Sequence, residues 1–158
     1  LVGSEMCIRD RFYPMQTFSK QRKVDFSDIP IFVESNSAED TRFLKDIAAV
    51  LSERVYEATS EQRKSLHLAA VFTCNFTNHM YTLAADLLEK YELPFEVMLP
   101  LIDETARKVH ELNPHLAQTG PAIRYDKNVI NNHLQMLVDE PQIQELYRLI
   151  SESIHRLS

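Results

Sequence analysis

The chain has 158 residues, 44% of them hydrophobic, and a formal net charge of -6. That supports a real core, and with no block of basic residues it gives no reason to expect a nucleic-acid partner. No run of about 18 apolar residues is present, so a membrane span is not expected. Only two glycines occur, Gly3 and Gly120, so neither a glycine-rich dinucleotide loop nor a P-loop can be built from this sequence. Cys7 and Cys74 make no disulfide framework, which points to a soluble protein of a reducing, cytoplasmic compartment.

Leu1 to Arg11 resembles the translated adapter-like leader of fragmentary environmental sequences and is set aside from fold reasoning. "FYPMQTFSK" reads as a loop leaving a buried edge. "DIPIFVE", Asp28 to Glu34, is a short apolar run expected to be a strand. A helix follows, opened by Ser37 with Asp40 as a capping pair and striped by Phe43, Leu44, Ile47, Val50 and Leu51. "RVYEA", Arg54 to Ala58, is a second strand. Strand, helix and strand make one βαβ unit, too little sheet to stand alone and expected to be the tail of a larger α/β domain. From Thr59 the pattern is helical only. Thr59 and Gln62 form a capping box, and the helix they open is expected to run to about Lys90. Pro94 suits the first turn of the next helix, which Pro100 kinks or restarts before Leu112. Asn113 to Asp126 reads as a structured loop. Asp126 caps a helix through Val138, and Pro141 opens a last amphipathic helix.

Within the long helix, "HLAAVFTCNFTNHM" is unusual, because it combines an apolar face with many uncharged polar groups. At about 100° per residue from His67, Cys74 falls near roughly -20°, Asn78 near roughly 20° and Asn75 near roughly 80°. Phe72, Phe76, Leu83 and Leu87 centre on the opposite side, which is expected to be buried. The polar stripe needs partners if it is covered. A ligand, a loop or a second subunit could supply them, and so could water on an open face. Imidazole exchanges protons near neutral pH, and carboxamides can orient a carbonyl or carboxylate. His67, Asn75 and Asn78 are therefore the candidate catalytic residues, and Lys64 is a conceivable cationic partner.

"AQTGPAIRYD" is a second candidate. Gly120 allows a backbone shape or close approach, Thr119 supplies a hydroxyl, and Arg124 a planar fork for an anion. A rigid turn closed by an Arg124–Asp126 pair is the plainer reading. The six histidines show no metal-ligand spacing, so no metal site is expected, and Cys74 reads as a small buried thiol.

The stretches "FYPMQTFSK", "EQRKSLHLAAVFTCNFTNHMYTLAADLL", "LPFEVMLPLIDETARKV" and "AQTGPAIRYD", arriving in this order, resemble the two-domain proteins in which a Rossmann-like domain precedes a DUF2520 domain. The resemblance implies that residues 12–58 are the last section of a truncated Rossmann-like domain. Residues 59–158 would be the helical DUF2520 domain, a bundle similar to the C-terminal domains of 6-phosphogluconate dehydrogenase, pyrroline-5-carboxylate reductase and ketopantoate reductase relatives. The fold class implied is mainly α, preceded by a partial α/β segment. Such domains pair two subunits, so a homodimer is implied, with NAD or NADP bound by the full-length protein and no cofactor bound by this fragment alone. Related hydroxyacid-type dehydrogenases use a lysine and an asparagine one helical turn apart. Here His67 is followed by Val71, Asn75 and Asn78, so that lysine chemistry does not carry over. Tyr13 stands where relatives often have histidine, so an acid–base role there does not carry over either.

Two functional readings follow. In one, the chain is the substrate and dimerisation domain of an NAD(P)-dependent oxidoreductase acting on a small molecule, with Thr119, Gly120 and Arg124 closing the pocket. In the other, it is a non-catalytic helical dimerisation or partner-binding module. The first requires a concave space beside His67. The second requires a sealed, fully hydrogen-bonded stripe.

Overall fold

The computed structural model describes residues 10–158. The leader up to Arg9, including Cys7, lies outside the described residues. The fold is mainly helical, with a small sheet preceding the helices. By its contacts the chain divides into two compact units, Leu1–Leu87 and Leu88–Ser158.

In the first unit, β1 (Arg11–Pro14), β2 (Ile31–Glu34) and β3 (Val55–Glu57) form a sheet in the order β1-β2-β3. The expected βαβ unit is present: β2 and β3 pair in parallel across helix α1 (Ala38–Leu51). "FYPMQTFSK" departs from its expected loop form. It begins as strand β1, antiparallel to β2, with Tyr13 opposite Phe32 and Pro14 opposite Ile31. The strand starts at Arg11, the last residue of the stretch set aside as leader. Pro14 masks the strand in the sequence, yet it sits on an edge strand, where a missing N–H is tolerated.

The core of this unit is small. Ile31, Val33 and Ala48 are buried, with Leu44 and Val55 packed against them. Ile31 and Val33 are two residues apart, so both face α1, as strand alternation requires. Ser52, 3% exposed, ties the layers together. Its hydroxyl donates to the Ile29 carbonyl at 2.6 Å and accepts from the Arg54 N–H at 3.0 Å. The expected cap of α1 is present: Ser37 Oγ accepts from the Asp40 N–H at 3.0 Å and donates to its carboxylate at 2.6 Å.

The helix opened by Thr59 has the expected capping box. It runs to Glu89, but not as one regular α-helix. α2 (Ser60–Ala70) passes into a π-helical segment, Val71–Phe76, before α3 (Thr77–Glu89) resumes. The sequence there, VFTCNF, is rich in β-branched and aromatic residues, which are mediocre helix formers. Threonine hydroxyls take up carbonyls that the wide turn loosens. Thr73 Oγ1 donates to the Ala69 carbonyl at 3.1 Å, and Thr77 Oγ1 donates to that of Phe72 at 3.1 Å.

The face expected to be buried is largely open. Phe72 is 60% exposed and Phe76 is 49% exposed, their rings meeting edge to face at 5.1 Å. Much of each ring is open to solvent, so the apolar pattern there marks exposed surface and not core.

In the second unit, the turn after α3 carries Glu92 at φ 54°, with the Leu93 N–H reaching back to the Leu88 carbonyl at 3.1 Å. A short 3-10 turn (Phe95–Met98) leads into α4 (Leu99–Glu111), and Pro100 sits in the first turn of α4. The second proline therefore restarts the helix. Within the expected loop, Pro114–Ala117 forms a single helical turn, α5, capped by Asn113. Asp126 caps α6 (Lys127–Met136) through the Val129 N–H at 3.2 Å, and Pro141 opens α7 (Pro141–Leu157). Gln144 Nε2 donates to the Leu134 carbonyl at 2.7 Å, and the His133 ring meets the Tyr147 hydroxyl at 2.8 Å, joining α6 to α7. An ion pair links Lys90 and Glu140.

Candidate functional site

A cleft of ≈ 490 Å³ opens beside His67. One wall comes from the end of β1 and the residues after it: Tyr13, Met15, Gln16 and Thr17. The other comes from α2 and the π segment: Leu66, His67, Ala69, Ala70, Thr73, Cys74 and Asn75. Both walls belong to the first unit. The first is pinned by the Met15 N–H on the Pro30 carbonyl at 2.8 Å, and by the Thr17 N–H on Gln16 Oε1 at 2.9 Å.

The direction of α2 is fixed at its first turn. Glu34, at the end of β2, receives the Ser60 hydroxyl on its two carboxylate oxygens at 2.8 and 2.9 Å. Arg11 and Arg63 stand 3.9 and 3.7 Å from the same carboxylate. Arg63 Nε is buried with no hydrogen bond, so the nearby charge of Glu34 is what offsets its loss of water. This anchor holds His67 two turns further along against the β1 wall.

The π segment decides which polar residues share the cleft. A π turn takes in one extra residue, so side chains beyond it lag a straight wheel by up to roughly 100°. Asn75 is carried from roughly 80° to near His67's own direction. Asn78 is carried away from it. Accordingly Asn75 lines the cleft and Asn78 does not. Cys74 also faces the cleft and is an exposed free thiol, not the buried one expected. Lys64 is committed elsewhere, to Glu61 at 3.1 Å, and is not in the lining.

Among the described residues, no Asp, Glu, Lys or Arg lines the cleft. Gln16 and Thr73 engage the backbone. The His67 imidazole, the Asn75 carboxamide and the Tyr13 hydroxyl make no hydrogen bond among the described residues. Three groups able to donate or accept are thus presented to one small space. The sequence singled out Tyr13 but did not show that its stretch forms a strand and a wall facing His67. The aromatic-proline stretch was the available signal, but nothing local showed that it pairs with β2 and returns over α2.

Thr119, Gly120 and Arg124 lie in the second unit. Gly120 has φ 103°, and a Cβ built there would meet no atom within 4 Å, so the residue serves a backbone shape and not a close approach. Arg124 is exposed and makes no ion pair with Asp126, whose carboxylate caps α6 instead. Among the described residues no group of three or more His, Cys, Asp or Glu could hold a metal ion, and no helix is long and apolar enough to cross a membrane.

These features define a mainly helical fold with a βαβ unit and a histidine-bearing cleft without charged lining residues among those described. The DUF2520 family, described as a domain of unknown function, matches residues 29–154, and the chain belongs to that family. The matched span takes in the βαβ unit as well as the helices. The chain is 74% identical to the structure of the "putative NADP oxidoreductase" BF3122 from Bacteroides fragilis. That match covers 93% of this chain and 57% of that one, with a TM-score of 0.89. It is 21% identical to the protein TM1727 from Thermotoga maritima, a likeness of fold with a TM-score of 0.77 covering 94% of this chain and 61% of that one. The chain thus spans less than two thirds of either protein. No curated protein matches it. The family read from the ordered sequence motifs, and the mainly helical class, are borne out.

Proposed function

We propose that this chain is the substrate-side part of an NAD(P)-dependent oxidoreductase acting on a small molecule, and that the cleft beside His67 receives the substrate. The observation that carries the reading is the convergence of the His67 imidazole and the Asn75 carboxamide on one open space. The 74% identity to BF3122, a "putative NADP oxidoreductase", supports the cofactor class.

The described residues do not fit the dinucleotide's phosphates. The turn from β2 to α1 reads Ser35-Asn36-Ser37, without glycine, and Gly120, in the second unit, follows no strand. No step is therefore routed through the cofactor. His67 gives a proton to a substrate oxygen or takes one from it, while Asn75 and Tyr13 fix that oxygen's orientation. Exposed Leu68, Phe72 and Phe76 are offered to a second copy of the chain, and the free Cys74 thiol suits a reducing, cytoplasmic setting.

The test joins this chain to the portion of BF3122 that it does not cover. NADPH fluorescence should saturate with the joined protein and not with the 158-residue chain. Equal binding by the chain alone refutes the division of labour. Substituting His67→Ala should lower turnover by about 10²- to 10⁴-fold without altering NADPH binding. Unchanged turnover removes His67 from the reaction.

A further inference from the structure

We propose that the substrate of the His67 cleft is an uncharged molecule that carries both a hydrogen-bonding group and hydrocarbon. The inference rests on the reading of that cleft as the substrate site and adds the chemical class. Two observations carry it.

The first is the composition of the walls. Every polar group in the lining is uncharged in type or, for His67, an imidazole, and Lys64, the nearest lysine in sequence, is not among them. A carboxylate or phosphate entering such a space gives up water and finds no fixed cation, a loss that neutral donors do not fully return. A neutral carbonyl, hydroxyl or amide gives up far less, and Asn75 and Tyr13 can pair with it at full strength. Beside these groups, on the same two walls, Met15, Leu66, Ala69 and Ala70 present hydrocarbon. A substrate polar on all sides would leave part of its own surface unpaired there.

The second observation is the field of the molecule. The net charge is -6, which disfavours the approach of an anion relative to a neutral molecule.

The experiment uses the whole chain with side-chain-labelled histidine and asparagine, observed by NMR at about pH 8.5, where imidazole is generally neutral. Two probes of one skeleton are titrated, cyclohexanecarboxamide and cyclohexanecarboxylate. The amide is expected to shift the His67 and Asn75 signals at a concentration about tenfold or more below that needed for the carboxylate. Equal or stronger effects from the carboxylate overturn the class while leaving the cleft as a binding site. No shift from either probe overturns the class together with the cleft reading. Thr73→Lys, which adds a cation to the wall, should reverse the order of the probes. An unchanged order overturns the charge argument.

Discussion

Deleting a residue from the middle of a helix normally rotates everything beyond it by about 100°. With side-chain tips roughly 5.5 Å from the axis, that rotation moves them about 8 Å, from one face to another. The π segment Val71–Phe76 already contains one residue more than a regular helix needs over the same turns. Removing Phe72 should therefore turn π into α and leave the flanking faces in phase, with Asn75 still beside His67. The cost is confined to a ring that is 60% exposed and to its edge contact with Phe76, together about 1 kcal/mol. Removing Thr82 from the regular helix α3 has no such compensation. It swings the half-buried Leu83 and Leu88 off their face, a loss of about 2–4 kcal/mol. Urea denaturation followed by circular dichroism compares the two deletions. If the Phe72 deletion destabilises as much as the Thr82 deletion, or moves the Asn75 signals out of the cleft, the phase argument fails.

Ser52→Ala removes a buried hydroxyl and leaves the Arg54 N–H and Ile29 carbonyl without their partner. It should cost about 2 kcal/mol, read as a lower denaturation midpoint at unchanged slope. Glu92→Gly relieves a non-glycine residue held at φ 54° after α3 and should raise stability by about 0.5–1 kcal/mol, measured in the same way.

The sequence shows its helices where a cap and a period agree. Ser37, Thr59, Asp126 and Pro141 each open the helix that their chemistry announces, because capping is a local interaction. β1 is not legible, since Pro14 hides a strand whose only support is the neighbouring β2, a non-local fact. The cleft was half legible. His67 and Asn75 stand out by type, but a wheel of constant pitch places Asn78 beside His67 where the π segment puts Asn75. Loops with the same signature separate in the same way: Asn113 gives α5 a cap that proline-rich composition concealed. The exposed Phe72 and Phe76 show the limit of hydrophobic periodicity, which reports surface to be covered without saying by what.

The central claim is that His67 and Asn75 act together on one small molecule. A crystal structure of the joined protein described above, soaked with NADPH and cyclohexanecarboxamide, tests it most directly. The account predicts the amide between the two walls, with its oxygen within about 2.6–3.2 Å of the imidazole or the Asn75 carboxamide. An empty cleft, with the amide bound against other residues, would contradict it.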